Sequence, residues 1–518
     1  MKRATAMLTI LCLACFIGTT SSYAAGVDLT GIGARAQALG GNYRSIANDW
    51  SGMYWNPAGL AFSEGLGAGL SMELVIPQAT FQVGNSHYGN INGINWPFSA
   101  AYRVERPNED QVFFVPSGGV TYNMGKLAFG LGVWAPFGLG SQWDILRTAA
   151  NNLGNVPGKP YDTYNTQYPN IEYESNMQII DIHPTVSYKI SDKLSVGAGA
   201  SIVYSDILIR KPVYIQNPYL YDETLFQQLM EVSEGGSMAM LFNMRRPPFD
   251  HLLTQVEMTG DGLGFGGNFG VMFKPTEDLS IGASVSYFMD QELSGTFENV
   301  IYFADVPAYD GLAQVYADSV FTKALQAGLI TADEYFILEN FYSGQVISEG
   351  QMDVNTKLPL PAKAGLGVSY TGFNNLLIAA DVTFTQWSAW DQIYIEDTAG
   401  GVVTSLVQNW ENTIKVGVGL EYTAGSAKLR AGFASEPPAA VPSTMDVAIP
   451  DINRRNTIAL GIELPVGPLA LSLNYEKIFI SDRTVSSWNY DALTTAQNLA
   501  GVYTMNVNNL MLGVDFNF

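Results

Sequence analysis

Few side chains in this sequence stand where they could carry out a reaction. The three histidines, His87, His183 and His251, are isolated, with no metal-ligand partner at useful spacing. The run Gly262-Leu263-Gly264-Phe265-Gly266-Gly267 fits the dinucleotide pattern by its letters, but it lies inside an alternating strand with no helix after it. No Gly-x-Ser-x-Gly nucleophile elbow occurs. No catalytic residue, metal or cofactor is therefore expected, and the chemistry that remains is binding. Strand parity turns Lys363, Lys415, Lys428 and Arg430 to one face together with Asp381, Glu421, Glu463, Glu476 and Asp515. Lys363 and Lys415 each stand about nine residues from a tight turn, so they can share a height and bind a carboxylate with Arg430 nearby. The alternative is that such charges pair among themselves. The acids outnumber the bases here, which speaks against an anionic ligand and leaves a neutral hydrophobe open.

The elements that must position these groups are strands of strict alternation. Leu194, Val196, Ala198, Ala200, Ile202 and Tyr204 alternate with Ser195, Gly197, Gly199 and Ser201; Ile414, Val416, Val418, Leu420 and Tyr422 alternate with Lys415, Gly417, Gly419 and Glu421. Leu279 to Tyr287 and Leu510 to Phe518 repeat the pattern. One face is apolar and ends in Tyr or Phe, whereas the other is small and polar. A soluble sandwich also alternates, but an aromatic girdle at Tyr188, Tyr287, Tyr370 and Tyr422 suits a membrane barrel. The turns support it. Tight turns fall at residues 123 to 126, 190 to 193, 275 to 278, 372 to 375, 424 to 426 and 466 to 468. Longer connections fall at 81 to 111, 138 to 176, 217 to 255, 304 to 350, 398 to 407, 441 to 451 and 489 to 498. Six short turns and seven long loops join fourteen antiparallel strands, an all-β transmembrane barrel.

Composition agrees. Charged residues make up only 14% of the 518, against about 25% in ordinary soluble domains. The net charge of -22 offers no basic footprint for nucleic acid. Lys2, Arg3, the apolar run from Ala6 to Gly18 and Ser22-Tyr23-Ala24 read as a signal peptide cut after Ala24. A lipid-anchored Cys15 is the alternative, although Cys12 stands where a Leu is usual. Both cysteines lie in that segment, so residues 25 to 518 form no disulfide.

Fourteen strands enclose more room than wall side chains fill. Residues 25 to 65 lack alternation and precede the first strand, and they are expected to fold into the lumen as a plug, with a flexible linker as the alternative. Turns at Ser51-Gly52, Asn56-Pro57 and Gly59 would set its shape, with Tyr54, Trp55, Leu60 and Phe62 against the wall. Residues 66 to 518 then form the barrel.

The run "GIGARAQALGG" from Gly31 and "ANDWSGMYWNPAGL" from Ala47 resemble the opening of the FadL/TodX family of outer-membrane channels for long-chain fatty acids and other hydrophobic compounds. Asn56-Pro57-Ala58 matches its Asn-Pro-Ala motif, and "FTQWSAWDQI" from Phe384 its Trp-Ser strand. "WENTIKVGVGLEY", "LRAGFASEPPAAVP" and "IPDINRRNTIALG" follow in the family's order, with Asp451 and Arg454 in its Pro-Asp-x-x-Arg element. The likeness covers nearly the whole of residues 25 to 518, except loops 217 to 255 and 304 to 350. It implies capture of a hydrophobic small molecule between outer loops, passage to a barrel pocket, and sideways exit into outer-membrane lipid by a chain acting as a monomer. The family's exit lies where the third strand kinks inward beside the Asn-Pro-Ala segment. Here that strand is "KLAFGLGVWAPFG", with Gly130, Gly132 and Pro136 as the candidate kink; the other reading is that Pro136 merely ends the strand. Pro184 is a second candidate kink.

Two loops carry helical patterns. Leu225, Phe226, Leu229 and Met230 in one, and Val320 and Phe321 in the other, are candidates for substrate capture, with packing on the barrel rim as the bland alternative. Thr331 and Glu334 form a capping box for a short helix. A general diffusion porin and a surface adhesin remain the rival readings, and a plugged lumen argues against the porin.

Overall fold

The computed structural model describes residues 28–29, 31–83, 90–91, 94–95, 106–108, 111–144, 167, 169, 171–216, 223–233, 251–303, 320–486 and 498–517. The expected signal peptide and the helical pattern before Val320 lie outside the described residues.

Fourteen antiparallel strands close into a barrel. They are β1 Leu66–Val83, β2 Phe113–Asn123, β3 Leu127–Trp143, β4 Tyr173–Ser191, β5 Leu194–Gln216 and β6 His251–Phe273. Four strands then run in two pieces each: β7 Leu279–Phe288 and Gln291–Tyr302; β8 Val346–Leu358 and Lys363–Phe373; β9 Leu376–Thr385 and Gln392–Asp397; β10 Val402–Val407 and Thr413–Ala424. The wall is completed by β11 Ala427–Glu436, β12 Arg455–Val466, β13 Leu469–Val485 and β14 Gly501–Asn517. Strand β14 closes on β1 from Gly67↔Asn517 to Val83↔Gly501. Closure pairs the first strand with the last, so the sheet has no terminal edge facing lipid, where an unpaired backbone group would find no water.

The alternation sets which way each residue points. Ile414, Val416, Val418, Leu420 and Tyr422 are exposed outward, whereas Glu421 and Arg430 are buried inward. All six tight turns fall where the sequence places them. The connection expected at 398 to 407 is shorter: Val402–Val407 continues β10, and a turn at Asp397 to Gly401 joins it to β9.

Inward residues change character along the wall. In β5, Ser195, Gly197, Gly199 and Ser201 line the half near the tight turns, and Val203, Ile207 and Ile209 line the half near the long connections. The lower, polar half holds the N-terminal segment, with helices α1 Ala34–Ala38 and α2 Gly52–Trp55 and a 3-10 turn Pro57–Phe62. The upper half packs apolar residues against α3 Glu223–Glu231, α4 Thr322–Gln326 and α5 Ala332–Glu339. The capping box forms on α5, where the Thr331 hydroxyl accepts from Glu334 N and Thr331 N donates to the Glu334 carboxylate.

Candidate functional site

The Asn-Pro-Ala stretch is the point where the N-terminal segment grips the wall. Asn56 donates its amide to the carbonyls of Arg44 and of Val271 on β6, at 2.9 and 3.1 Å, and its Oδ1 caps the 3-10 turn by accepting from Ala58 N. Pro57 starts that turn, where a missing N–H costs nothing. The Ala58 carbonyl accepts from Ser187 and Ser195 of β4 and β5. Trp55 donates to Ile32 O, and its own carbonyl accepts from Ser284 of β7. Gly59 leaves no alternative: a Cβ there would stand 1.8 Å from Ala47 O.

Ion pairs add a second layer. Arg44 meets Asp381 at 3.1 Å, Arg35 meets Glu421 at 2.8 Å, and Lys363 meets Asp28 at 2.5 Å with Tyr54 Oη at 3.1 Å. Burial lowers the Arg35 guanidinium, but the charges of Tyr43 and Glu421 outweigh it and hold it above its ordinary value. Burial pushes the Tyr43 hydroxyl well up, and Asp49, which accepts from it, adds to the rise. Of the sequence-chosen cations, Arg430 is locked between Glu421 and Glu463, and Lys363 belongs to Asp28. Lys415 alone of the three has no ion pair among the described residues. It lines a small polar cavity of about 30 Å³ with Asp28, Glu73, Glu436 and Arg455. The three cations therefore do not converge on one carboxylate site.

Strand β3 leaves the wall beside this segment. Its pairing with β2 ends at Gly118↔Val133, while β2 continues to Phe113 paired only with β1. Against β4 its register shifts between Trp134 and Phe137. Six consecutive residues, 134 to 139, are buried, so the in-out alternation is lost there. Pro136 sits within that bulge, with no N–H to give a ladder. The N-terminal segment takes up the freed edge: Leu29 N donates to Pro136 O, and Asp28 bridges Phe137. Gly130 and Gly132 lie below, in register with both neighbours, and they make room for side chains. A Cβ would stand 2.4 Å from Met53 Sδ at Gly130 and 2.1 Å from Trp134 at Gly132. Pro184 shifts no register on either side.

Above the segment lies a cavity of about 360 Å³, lined by Ile207, Val256, Met258, Phe297, Leu358 and Ile393 among others. The cation on its lining, Lys211, is held by Asp446 at 3.0 Å. Phe226, Leu229, Val320 and Phe321 are buried in the same apolar cluster, with Leu225 and Met230 packed against it. The loop residues chosen for capture thus form part of the core rather than an open groove.

The model of the family described as outer membrane protein transport protein (OMPP1/FadL/TodX) matches residues 14–518. The chain belongs to this family. Solved structures of the same fold include a FadL homologue of Pseudomonas aeruginosa, 18% identical over 95% of this chain and 100% of the other, with a TM-score of 0.67. The toluene transporter TodX of P. putida is 17% identical over 95% and 99%, with a TM-score of 0.63. The toluene transporter TbuX of Ralstonia pickettii is 18% identical over 95% and 99%, with a TM-score of 0.58. A search of the curated proteins finds no match.

In this FadL/TodX-family chain the Pro-Asp-x-x-Arg element shapes a loop. Asp451 accepts from Ala439 N and Ala440 N, and Arg454 is exposed with one bond to Ser435. The buried cation there is the next residue, Arg455, paired with Glu436 at 3.1 Å. Sequence reasoning missed Arg35, Arg44 and Arg455. The excess of inward acids was the signal, because it called for cations supplied from elsewhere.

Proposed function

We propose that this family member carries neutral hydrophobic compounds across the outer membrane by passive diffusion. The compound gathers in the apolar cavity of the upper half, and residues 25 to 65 act as a hatch that keeps water and ions from following. It leaves sideways where β2 and β3 part, entering lipid without crossing water. The parting of β2 and β3 beside a docked N-terminal segment carries this reading. The ion-paired state of Lys363, Arg430 and Lys211 favours an uncharged substrate over a fatty acid carboxylate, because an incoming carboxylate would have to displace a partner already in place.

The test is uptake of radiolabelled toluene and oleate by a host that lacks its own hydrophobe channel. Toluene should enter faster than in the empty host and faster than oleate. A cysteine pair at Pro116 and Ala135, which would face each other had the ladder continued, is then joined by a bifunctional thiol crosslinker that spans the parted strands and seals the seam. Sealing should lower toluene entry by more than half. Equal entry with the seam sealed or open would sink the lateral route, and high ion conductance with no hydrophobe uptake would make the protein a porin.

A further inference from the structure

The wall is interrupted a second time, on the side away from β3. The lower pieces of β7 and β8 pair up to Ser286↔Lys363, and the upper pieces resume at Gln291↔Leu358 in the same register. Residues 287 to 290 and 359 to 362 therefore face one another without a rung. The break continues sideways. Pairing of β8 with β9 stops at Lys363↔Thr385 and resumes at Thr356↔Ile395. Between β9 and β10 the ladder stops at Thr385↔Thr413 and the upper hairpin begins at Gln392↔Val407, but Gln408 N and Asn409 N donate to Asp391 O and Trp410 N to Trp390 O, so backbone bonds hold much of that interval. The break is therefore widest between β7 and β8 and narrows towards β9, where Gln386 N still donates to Ala362 O.

Large side chains pack around this gap. Phe288, Leu360, Trp387, Trp390 and Trp410 are all buried there. The three tryptophans stack on one another with ring centroids 4.8 to 6.0 Å apart. Trp390 Nε1 donates to Pro359 O at 2.6 Å, which fixes that ring. Trp387 Nε1 has no hydrogen-bond partner among the described residues, and its ring reaches Phe137 on the β3 bulge.

Along each of β7 to β10 the break falls between residues that line an apolar cavity above and residues that line an apolar hollow below. Leu358 and Val407, the first paired residues above the break on β8 and β10, line the 360 Å³ cavity together with Ile393 of β9. Just below it, on the lipid-facing surface, is a hollow of about 490 Å³ lined by Phe269, Val285, Ala364, Leu366, Phe384 and Ile414. Between these two levels β7 and β8 are joined by side-chain packing rather than by a continuous ladder. A ring can swing aside by rotation about its side-chain bonds, whereas a ladder must break several backbone hydrogen bonds at once.

We infer that this break is a second side passage for the same neutral hydrophobic compounds, running from the cavity to the lipid-facing hollow, with Trp387 as its stopper. The inference rests on the transport reading above. It assigns the hollow as the place where the compound meets lipid on leaving.

The experiment uses the full chain with the β2–β3 seam sealed, so that toluene entry reports the remaining route. Trp387→Ala should raise that remainder at least fivefold, and Ala364→Trp, which fills the hollow, should abolish it. Leu473→Trp, on the lipid face of β13, should leave it unchanged. Leu360→Ala replaces Trp387→Ala if the latter fails the gel-mobility test for a folded barrel. Absence of any remainder after sealing, or a remainder indifferent to both the opening and the filling variant, overturns the second passage while leaving transport itself intact. Wild-type entry no faster than in the empty host removes the transport reading, and the passage with it.

Discussion

Replacing Asn56 by Ala tests how firmly the N-terminal segment is held. The side chain makes three hydrogen bonds, two as donor to Arg44 O and Val271 O and one as acceptor from Ala58 N. All three are neutral and lie in a buried setting, since Asn56 itself is fully covered. At about 1 kcal/mol net for each, Asn56→Ala weakens docking by about 3 kcal/mol, a shift of roughly a hundredfold in the undocked population. Hydrogen-deuterium exchange of peptides covering residues 34 to 62 reads that population directly, because their amides exchange when the segment leaves the wall. Exchange there should quicken by about a hundredfold, while peptides from β12 and β13 keep their rates, since local opening need not involve the barrel. Asn56→Asp keeps the acceptor for Ala58 N but sets a buried carboxylate against the carbonyls of Arg44 and Val271, so it should loosen the segment at least as much as Asn56→Ala. Exchange in residues 34 to 62 that stays within about threefold of wild type would show that the ion pairs, and not Asn56, anchor the segment.

Arg44→Met strands the Asp381 carboxylate in the wall and should cost about 3–5 kcal/mol in thermal unfolding of the detergent-solubilised protein. Adding Asp381→Asn should return most of that loss; no recovery would mean that the guanidinium acts through packing rather than charge. Lys363→Met frees Asp28, so the bridge to Phe137 should fray. Planar-bilayer recordings should then show frequent openings that wild type lacks, and a silent trace would place the latch elsewhere. Ile393→Asp puts an unpaired carboxylate into the apolar cavity. It should lower toluene uptake by about tenfold or more in a barrel that still runs as folded on a gel, because burying an isolated charge is costly.

The barrel itself was legible in the sequence because lipid imposes a rule on every strand at once. Outward positions must be apolar and the chain must turn tightly on one side, so alternation and turn residues locate β1 to β14 without knowledge of their neighbours. The turn at Asn56-Pro57 was legible for a related reason, since a capping Asn and a Pro at the start of a turn are local demands, whereas the need for Gly59 comes from Ala47, twelve residues away. Pairing was not. Nothing in the residues around Lys363 says that its partner is Asp28, which lies 335 residues earlier. Arg35 and Arg44 became lumen cations only when their segment folded into the barrel. The same distance effect made Phe226 and Phe321 look like capture surfaces, although both are buried in the apolar cluster of the upper half. Parity along a strand fixed the direction each side chain faces, a local matter of backbone pleat. Which charges neutralise one another, and where β2 leaves β3 or β7 leaves β8, depended on contacts between strands far apart in sequence, and only the closed barrel brought those together.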